Sequence, residues 1–247
     1  FAALFAHAPA RVAADLTVMA IGDWGGHDDD EPTTLAQRHV AVAIRQHALE
    51  SGANLTLLMG DNIYQHGVNT DSSDRFRSTF ESVYASMLPD QAFYACAGNH
   101  DYGEGVLANV SSQIAYSQMS SSWRFPSLWY KLQRTFDSDG GSRTLDILVL
   151  DTVVLCGNGP ANEGYINQEL RFLADRYPIA GNQSLRETLA QAQWAWLTEE
   201  LAQSRADYLW VTGHYPIWSA GNDGSQQCLI DRLRPMLLEH GAHYISG

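Results

Sequence analysis

Positive charge is scarce in this chain. Lys and Arg number 15 against 28 Asp and Glu, a formal net charge of −13, so the composition offers no basic face for nucleic acid or an anionic membrane. A phosphate-bearing substrate is not excluded, because a local cluster of multivalent cations outweighs a dispersed negative surface at contact distance. Cysteine is sparse too, three residues in 247, and none stands among the candidate ligands identified below, which disfavours a zinc–thiolate centre. No apolar run approaches the length of a membrane span, and no linker, tandem repeat or low-complexity segment divides the chain. An initiator methionine is also missing. Phe1–Ala14 is apolar and alanine-rich, and Val12-Ala13-Ala14 before Asp15 suits a signal-peptidase cut. Residues 1–14 are therefore expected to be the remnant of a signal peptide rather than a packed N-terminal arm. The remainder fits one large domain, and 45 % hydrophobic with 11 % aromatic residues leaves no case for disorder.

The stretch Leu57-Leu58-Met59-Gly60-Asp61-Asn62-Ile63-Tyr64 organises what is present. An apolar run over 55–59 reads as a short buried strand stopped by glycine. A carboxylate, a carboxamide and a phenol then follow where functional groups gather in open α/β sheets, outside the carboxyl ends of strands. The pattern recurs. Asp23 follows Gly22 after Leu16–Ile21, Asn99 and His100 follow Gly98 after Phe93–Ala97, and His214 follows Gly213 after Tyr208–Thr212. A further run, His243–Ser246, reaches Gly247.

Between these runs the periodicity predicts helices. Ala36, Val40, Ala43, Ile44 and His47 recur at helical spacing over 33–51, with His39 and His47 read as surface or core-edge residues. Phe76, Phe80, Val83, Tyr84 and Met87 share a face over 74–87. Residues 102–142 read as loops plus one short helix near Ser112–Met119, and 145–150 as a strong strand. Residues 157–183 read as a polar excursion. Ser184 with Glu187 forms a capping box before a helix bearing Trp194, Leu197 and Leu201. The last helix begins near Leu229 with a restart at Pro235. The acidic run His27–Glu31 reads as a solvated loop.

Aspartate, asparagine, tyrosine and histidine together suit a hard ion. Deprotonating a phenol whose ordinary pKa is about 10 near neutral pH needs a strong Lewis acid, and trivalent iron is the natural candidate. Asp61, at its turn, has two oxygens with which to bridge two ions of the kind that clamp an in-line displacement.

The segments Gly22-Asp23-Trp24-Gly25-Gly26, Gly60-Asp61-Asn62-Ile63-Tyr64, Gly98-Asn99-His100-Asp101 and Gly213-His214-Tyr215-Pro216 resemble the ordered motifs of calcineurin-like metallophosphoesterases. The tyrosine three residues after Asp61 is similar to the purple acid phosphatase branch, in particular its small tartrate-resistant type. The resemblance runs from about Asp15 to Gly247 and is weakest near 134–144 and 158–190.

It implies an α/β fold of two packed mixed β-sheets flanked by helices, a four-layer sandwich, with 15–247 as a catalytic domain incomplete at its C-terminus. It implies Fe(III) held by Asp23, Asp61, Tyr64 and a histidine, and a divalent ion (iron, zinc or manganese) held by Asp61, Asn99, His214 and another histidine. Those two histidines belong to a Gly-His-x-His motif whose glycine aligns with Gly247, so the chain as it stands is expected to be metal-poor and nearly inactive. The implied reaction is hydrolysis of phosphate monoesters, small esters or phosphoproteins, by metal-bound hydroxide. His100 is expected to bond the ester and protonate the leaving oxygen, the alternative being an orienting role alone. Asp223 stands where the family places a phosphate-facing histidine, nine residues after His214. Cys156 and Cys228 align with a disulfide pair, leaving Cys96 free. Asn109 and Asn182, read as loop residues, are candidate glycosylation sites, and Asn54 is discounted. A secreted or lysosome/vacuole-like location follows, and nothing in the sequence specifies an oligomer. The rivals are a phosphodiesterase or nucleotide phosphatase on the same scaffold, which Tyr64 disfavours, and a catalytically dead binding relative, which the intact ligands disfavour.

Overall fold

The structure, a computed structural model, describes residues 13–28, 31–53, 55–88, 90–103, 107–138, 140–158, 184–221 and 224–247. Most of the proposed leader, Asn54, most of the polar excursion with Asn182, and Asp223 lie outside the described residues.

Two sheets share the described chain. The four-stranded sheet runs β2 (Val18–Ile21), β3 (Leu55–Leu58), β4 (Ala92–Ala95), β5 (Trp123–Arg124) and is parallel throughout. The five-stranded sheet runs β1 (Ala13–Ala14), β6 (Tyr130–Ser138), β7 (Gly141–Val149), β8 (Tyr208–Gly213), β9 (His243–Ser246). It is the mixed one, because β6 and β7 form an antiparallel hairpin while β7, β8 and β9 run parallel. The second half of β7, residues 145–149, is buried on both faces, as a strand in a central layer requires. Leu145, Ile147 and Val149 join the core shared with the four-stranded sheet, whereas Leu148 and Leu150 join a second core with Trp194, Leu197 and Leu233. Tyr130 closes the sandwich by donating its hydroxyl to the Ala95 carbonyl at 2.7 Å.

Helix α1 (Leu35–Ser51) connects β2 to β3. Thr34 and Gln37 cap it reciprocally, and Gly52 ends it at φ 69°, a conformation that favours glycine. Its inward residues are Gln37, Ala41 and Ala48, not Ala36, Val40 and Ala43, which are exposed, while His39 and His47 lie on the surface as expected. Gln37 decides the orientation, because its amide donates to the Trp24 carbonyl as well as capping the helix. The expected 74–87 helix keeps its apolar face, with Phe76, Phe80, Val83 and Tyr84 buried. It forms instead a π-helical turn over Phe76–Glu81 and a 3-10 turn over Ala85–Met87.

Residues 102–142 depart most from expectation. Helix α2 spans Leu107–Tyr116, so Asn109 sits on a helix rather than in a loop. Strand β6 follows where no strand was expected. Only Tyr130 and Leu132 of β6 are buried, and its polar remainder is a strand because each residue pairs with β7. Beyond β7 come α3 (Thr152–Leu155), α4 (Leu185–Gln203), and a π turn over Leu229–Leu233 running into α5 (Arg234–His240), which has proline in its first turn. The Ser184–Glu187 capping box is present, and Trp194, Leu197 and Leu201 are buried.

Cys156, just after α3, is bonded to Cys228 before the last π turn, across a sequence separation of 72 residues, while Cys96 is free and buried. Closing a loop of that size stabilises the folded state by about 4 kcal/mol in the chain-entropy model. A Cys156→Ser, Cys228→Ser double variant should therefore lose about 4 kcal/mol in urea unfolding. An unchanged midpoint would show that the bond adds nothing.

Candidate metal centre

The ligand-bearing turns lie at the carboxyl ends of β2, β3 and β4 in one sheet and of β8 in the other. Asp23 and Asp61 both adopt left-handed backbone, φ 55° and 51°, which is uncommon outside glycine and concentrates at functional sites. Glycine neighbours make the close approach possible. A Cβ on Gly60 would lie 2.8 Å from the Gly98 nitrogen and from His214 Cβ, and one on Gly98 would meet Asp61 Oδ1 at 2.2 Å.

These turns bring Asp23, Asp61 and His214 together, with ligand atoms all within 4.8 Å of one another. Tyr64 joins them, its hydroxyl donating to Asp23 Oδ1 at 2.9 Å. His214 is fixed by hydrogen bonding. Its Nδ1 lies 3.0 Å from the Met59 carbonyl, an acceptor only, so Nδ1 carries the proton and Nε2 presents a lone pair. That lone pair stands 3.1 Å from Asn99 Oδ1 and 3.5 Å from Asp61 Oδ1. Oxygen and nitrogen lone pairs converging on one space repel each other unless a cation lies between them, and this donor set fits hard or borderline ions. Burial, then the Asp61 and Asp23 carboxylates, push the Tyr64 phenol far above its ordinary value, so this phenol ionises only against a strong cation. Asp23, Asp61, Tyr64, Asn99, His100, His214 and Gly247 line one cavity of about 220 Å³.

His100 borders the ligand cluster. Its Nδ1 lies 2.8 Å from the Gln65 carbonyl, which by the same reasoning fixes Nε2 toward the site, 4.0 Å from Asp61 Oδ2. A second cavity of about 340 Å³ shares Asn99, His100 and Tyr215 with the first and is further walled by Gln65, His66, Val153 and Asn158.

The supporting residues were harder to read. Asp101, quoted above only as part of a motif, is fully buried. It accepts from the backbone N–H groups of Asn62, Ile63 and Gly98 and from the Asn62 and Gln113 amides. Asn62 thus turns inward, away from the ligands, with its amide also on the Cys96 carbonyl. Asp151 caps α3 through the Val154 N–H and accepts the Tyr102 hydroxyl, and Tyr102 belongs to the same 3-10 turn as His100. A buried carboxylate needs many donors, but only the folded contacts reveal which motif aspartates collect them.

Residues 16–247 match the calcineurin-like phosphoesterase family model, and the chain belongs to that family. It is 37 % identical to tartrate-resistant acid phosphatase type 5 of Rattus norvegicus over 99 % of this chain and 69 % of that protein. The Homo sapiens protein of that name is also 37 % identical, over 94 % of this chain and 66 % of that one. Purple acid phosphatase 7 of Arabidopsis thaliana is 27 % identical, over 94 % of this chain and 63 % of it. The chain thus spans about two thirds of the length of these relatives. Among solved structures, GAP50, the anchor in the inner membrane complex of Plasmodium, superposes with a TM-score of 0.70 at 22 % identity over 93 % of this chain and 64 % of that one, a likeness of fold.

Asp151 yields a prediction free of the metal ligands. Burial pushes its carboxyl up from 3.8 to about 7, although the Tyr102 and Val154 donors oppose this. Between these two values the folded state holds a proton that the unfolded state has released, so stability falls as pH rises through this window. The melting temperature should therefore decline from pH 4 to 7, and Asp151→Asn should flatten that decline in a thermal-melt series. Parallel pH profiles for the two proteins would contradict the assignment.

Proposed function

We propose that this chain is the core of an acid phosphatase that hydrolyses phosphate monoesters at a dinuclear centre of Fe(III) and a divalent iron, zinc or manganese ion. The observation that carries the reading is the convergence of the Asp23, Asp61 and His214 ligand atoms within 4.8 Å, with the Tyr64 phenol on Asp23. In this reading Asp23, Asp61 and Tyr64 hold the trivalent ion. Asp61, Asn99 and His214 hold the divalent one, and Asp61 is shared. When bound, the two ions supply Lewis acidity that lowers the pKa of water and polarises a phosphate. Tyr64 favours a monoesterase of this kind over a phosphodiesterase with two divalent ions, which has no use for a phenolate. Gly247 lines the same cavity.

The chain's own groups then do the positioning and the proton work. Asn99 and His100 flank the cavity on the substrate side. The Nδ1–H of His100 is committed to Gln65, which turns Nε2 to the ester; the imidazolium, with a second proton on Nε2, gives that proton to the leaving oxygen and returns to the neutral ring. The departing alcohol occupies the second cavity, beside Gln65, His66 and Asn158. Small phosphate esters and exposed phosphoprotein side chains are the substrates that reach such an open site.

The disulfide between Cys156 and Cys228 supports an oxidising location, secreted or lysosome/vacuole-like. Asn109 and Asn182 are proposed glycan acceptors. Asn109 is half-buried and donates its amide to the His66 carbonyl at 2.5 Å, and a glycosylated amide keeps one N–H with which to do so. Asp223 is proposed to face the phosphate.

Two experiments test the reading. Iron-loaded full-length protein should absorb in the visible through phenolate-to-iron charge transfer, and Tyr64→Phe should bleach it without loss of fold. Colourless protein with confirmed iron would remove Tyr64 from the ligand set. Separately, His100→Ala should retain metal while kcat falls about 10²–10⁴-fold, the range of general acid–base help, with a smaller loss for esters of good leaving groups. Metal lost together with activity would make His100 a ligand instead.

A further inference from the structure

Arg75 lies outside every motif considered above, directly before the π turn. Its side chain is 19 % exposed and all its contacts serve the metal centre's loops or its own turn. Nη2 donates to the carbonyls of Gly25 and Tyr64 at 3.1 and 2.9 Å. Nη1 donates to Asp28 Oδ1 at 2.9 Å, and Nε to Thr79 Oγ1 at 3.2 Å. Gly25 belongs to the loop that carries Asp23, and Tyr64 to the loop that carries Asp61. In the acidic run, whose described residues are exposed as expected of a solvated loop, Asp28 takes the ion pair with Arg75.

The two loops meet backbone to backbone at this point. The Tyr64 N–H donates to the Gly25 carbonyl at 3.2 Å, and a Cβ on Gly25 would lie 2.7 Å from the Ile63 and Tyr64 nitrogens. One guanidinium thus spans both loops just behind the pair whose side chains meet in front, Asp23 Oδ1 and the Tyr64 hydroxyl. A planar fork with several fixed donors can hold two carbonyls and a carboxylate at once, whereas an ammonium is a single point of attachment.

We propose that Arg75, paired with Asp28, is a positioning residue that sets the separation of Asp23 from Tyr64 and so shapes the trivalent-ion half of the centre. The inference rests on the metal-centre reading above. It concerns a residue that touches neither substrate nor metal and acts through the two loops it joins. Partners that orient metal ligands in this way typically change metal affinity by about 10–100-fold when removed.

The test, made on the full-length protein, compares wild type with Arg75→Met, which keeps an unbranched stem without the fork, and with Arg75→Lys. Asp28→Asn serves as a milder second variant should Arg75→Met fold poorly. Without metal, amide hydrogen exchange at Tyr64 should quicken roughly 10-fold in Arg75→Met, with exchange at Leu57 in β3 unchanged. On titration with Fe(III), affinity should fall about 10–100-fold and the charge-transfer band should move. Arg75→Lys should recover only part of each effect, and Asp28→Asn should move both readouts in the same direction by less.

A variant that melts earlier but binds Fe(III) as wild type does, with an unshifted band, overturns the proposal, because Arg75 would then serve stability alone. Unchanged Tyr64 exchange overturns it as well. Wild-type protein that takes up no Fe(III) removes the metal-centre reading and the positioning role with it. Wild-type loading matched by an identical variant removes the positioning role alone.

Discussion

The Asp101 carboxylate holds the candidate centre's backbone in place. It gathers N–H groups from the turn after β3 and the turn after β4, so the segments carrying Asp61 and Asn99 are tied to one buried anion. Burial and the nearby Asp61 charge push its carboxyl up to about 6 against those same donors. A charge this deep is tolerable only because its acceptor sites are filled. Gln113 reaches it from α2 and bonds Asn62 with its other end, which brings a helix distant in sequence into the same network. Arg75 does the corresponding work outside the core, as a cation facing carbonyl oxygens rather than an anion facing amides.

Strain and support are paired here. Asp23 and Asp61 hold left-handed backbone that costs of order 1–3 kcal/mol each, and both are braced from several directions. The Asp23 N–H bonds the Gly60 carbonyl, and Asp61 Oδ1 accepts the His100 N–H at 3.0 Å. Relaxing either residue would break contacts on a neighbouring turn. The carboxylates are thereby held facing one another without a neutralising side chain between them, an arrangement that a cation stabilises.

The sequence displayed the outline of the site because each ligand follows a glycine at the end of an apolar run, and both signals are local. Asp23, Asp61, Tyr64, Asn99 and His214 could be named from these signals, and the structure brings them together. The strand β6 is harder to read: Tyr130 and Leu132 alternate with Lys131 and Gln133, but the polar continuation from Arg134 carries little apolar signal, and pairing with β7 completes the strand. The α1 face was misread for a related reason. Alanine weighs little in periodicity, and Gln37 is buried by hydrogen bonds rather than by hydrophobicity. Asp101 and Asp151 look like any other aspartates in the sequence, because their carboxylates depend on distant donors, 12 to 39 positions away for Asp101 and 49 positions away, at Tyr102, for Asp151.

The centre also straddles the seam of the sandwich. Asp23, Asp61 and Asn99 hang from the four-stranded sheet, but His214 hangs from β8 of the other. The bond from its Nδ1 to the Met59 carbonyl and the contact of Thr212 with the Met59 sulfur are the joints between them. A cation seated among these groups is therefore a cross-link between two halves that fold from different pairings. A one-residue slip of β8 against β7 would turn its side chains to the opposite face and withdraw His214 from its partners. Only a correctly assembled sandwich presents the full set of donors, so a cation that needs all of them would distinguish the assembled fold from one in which the two sheets had met out of register.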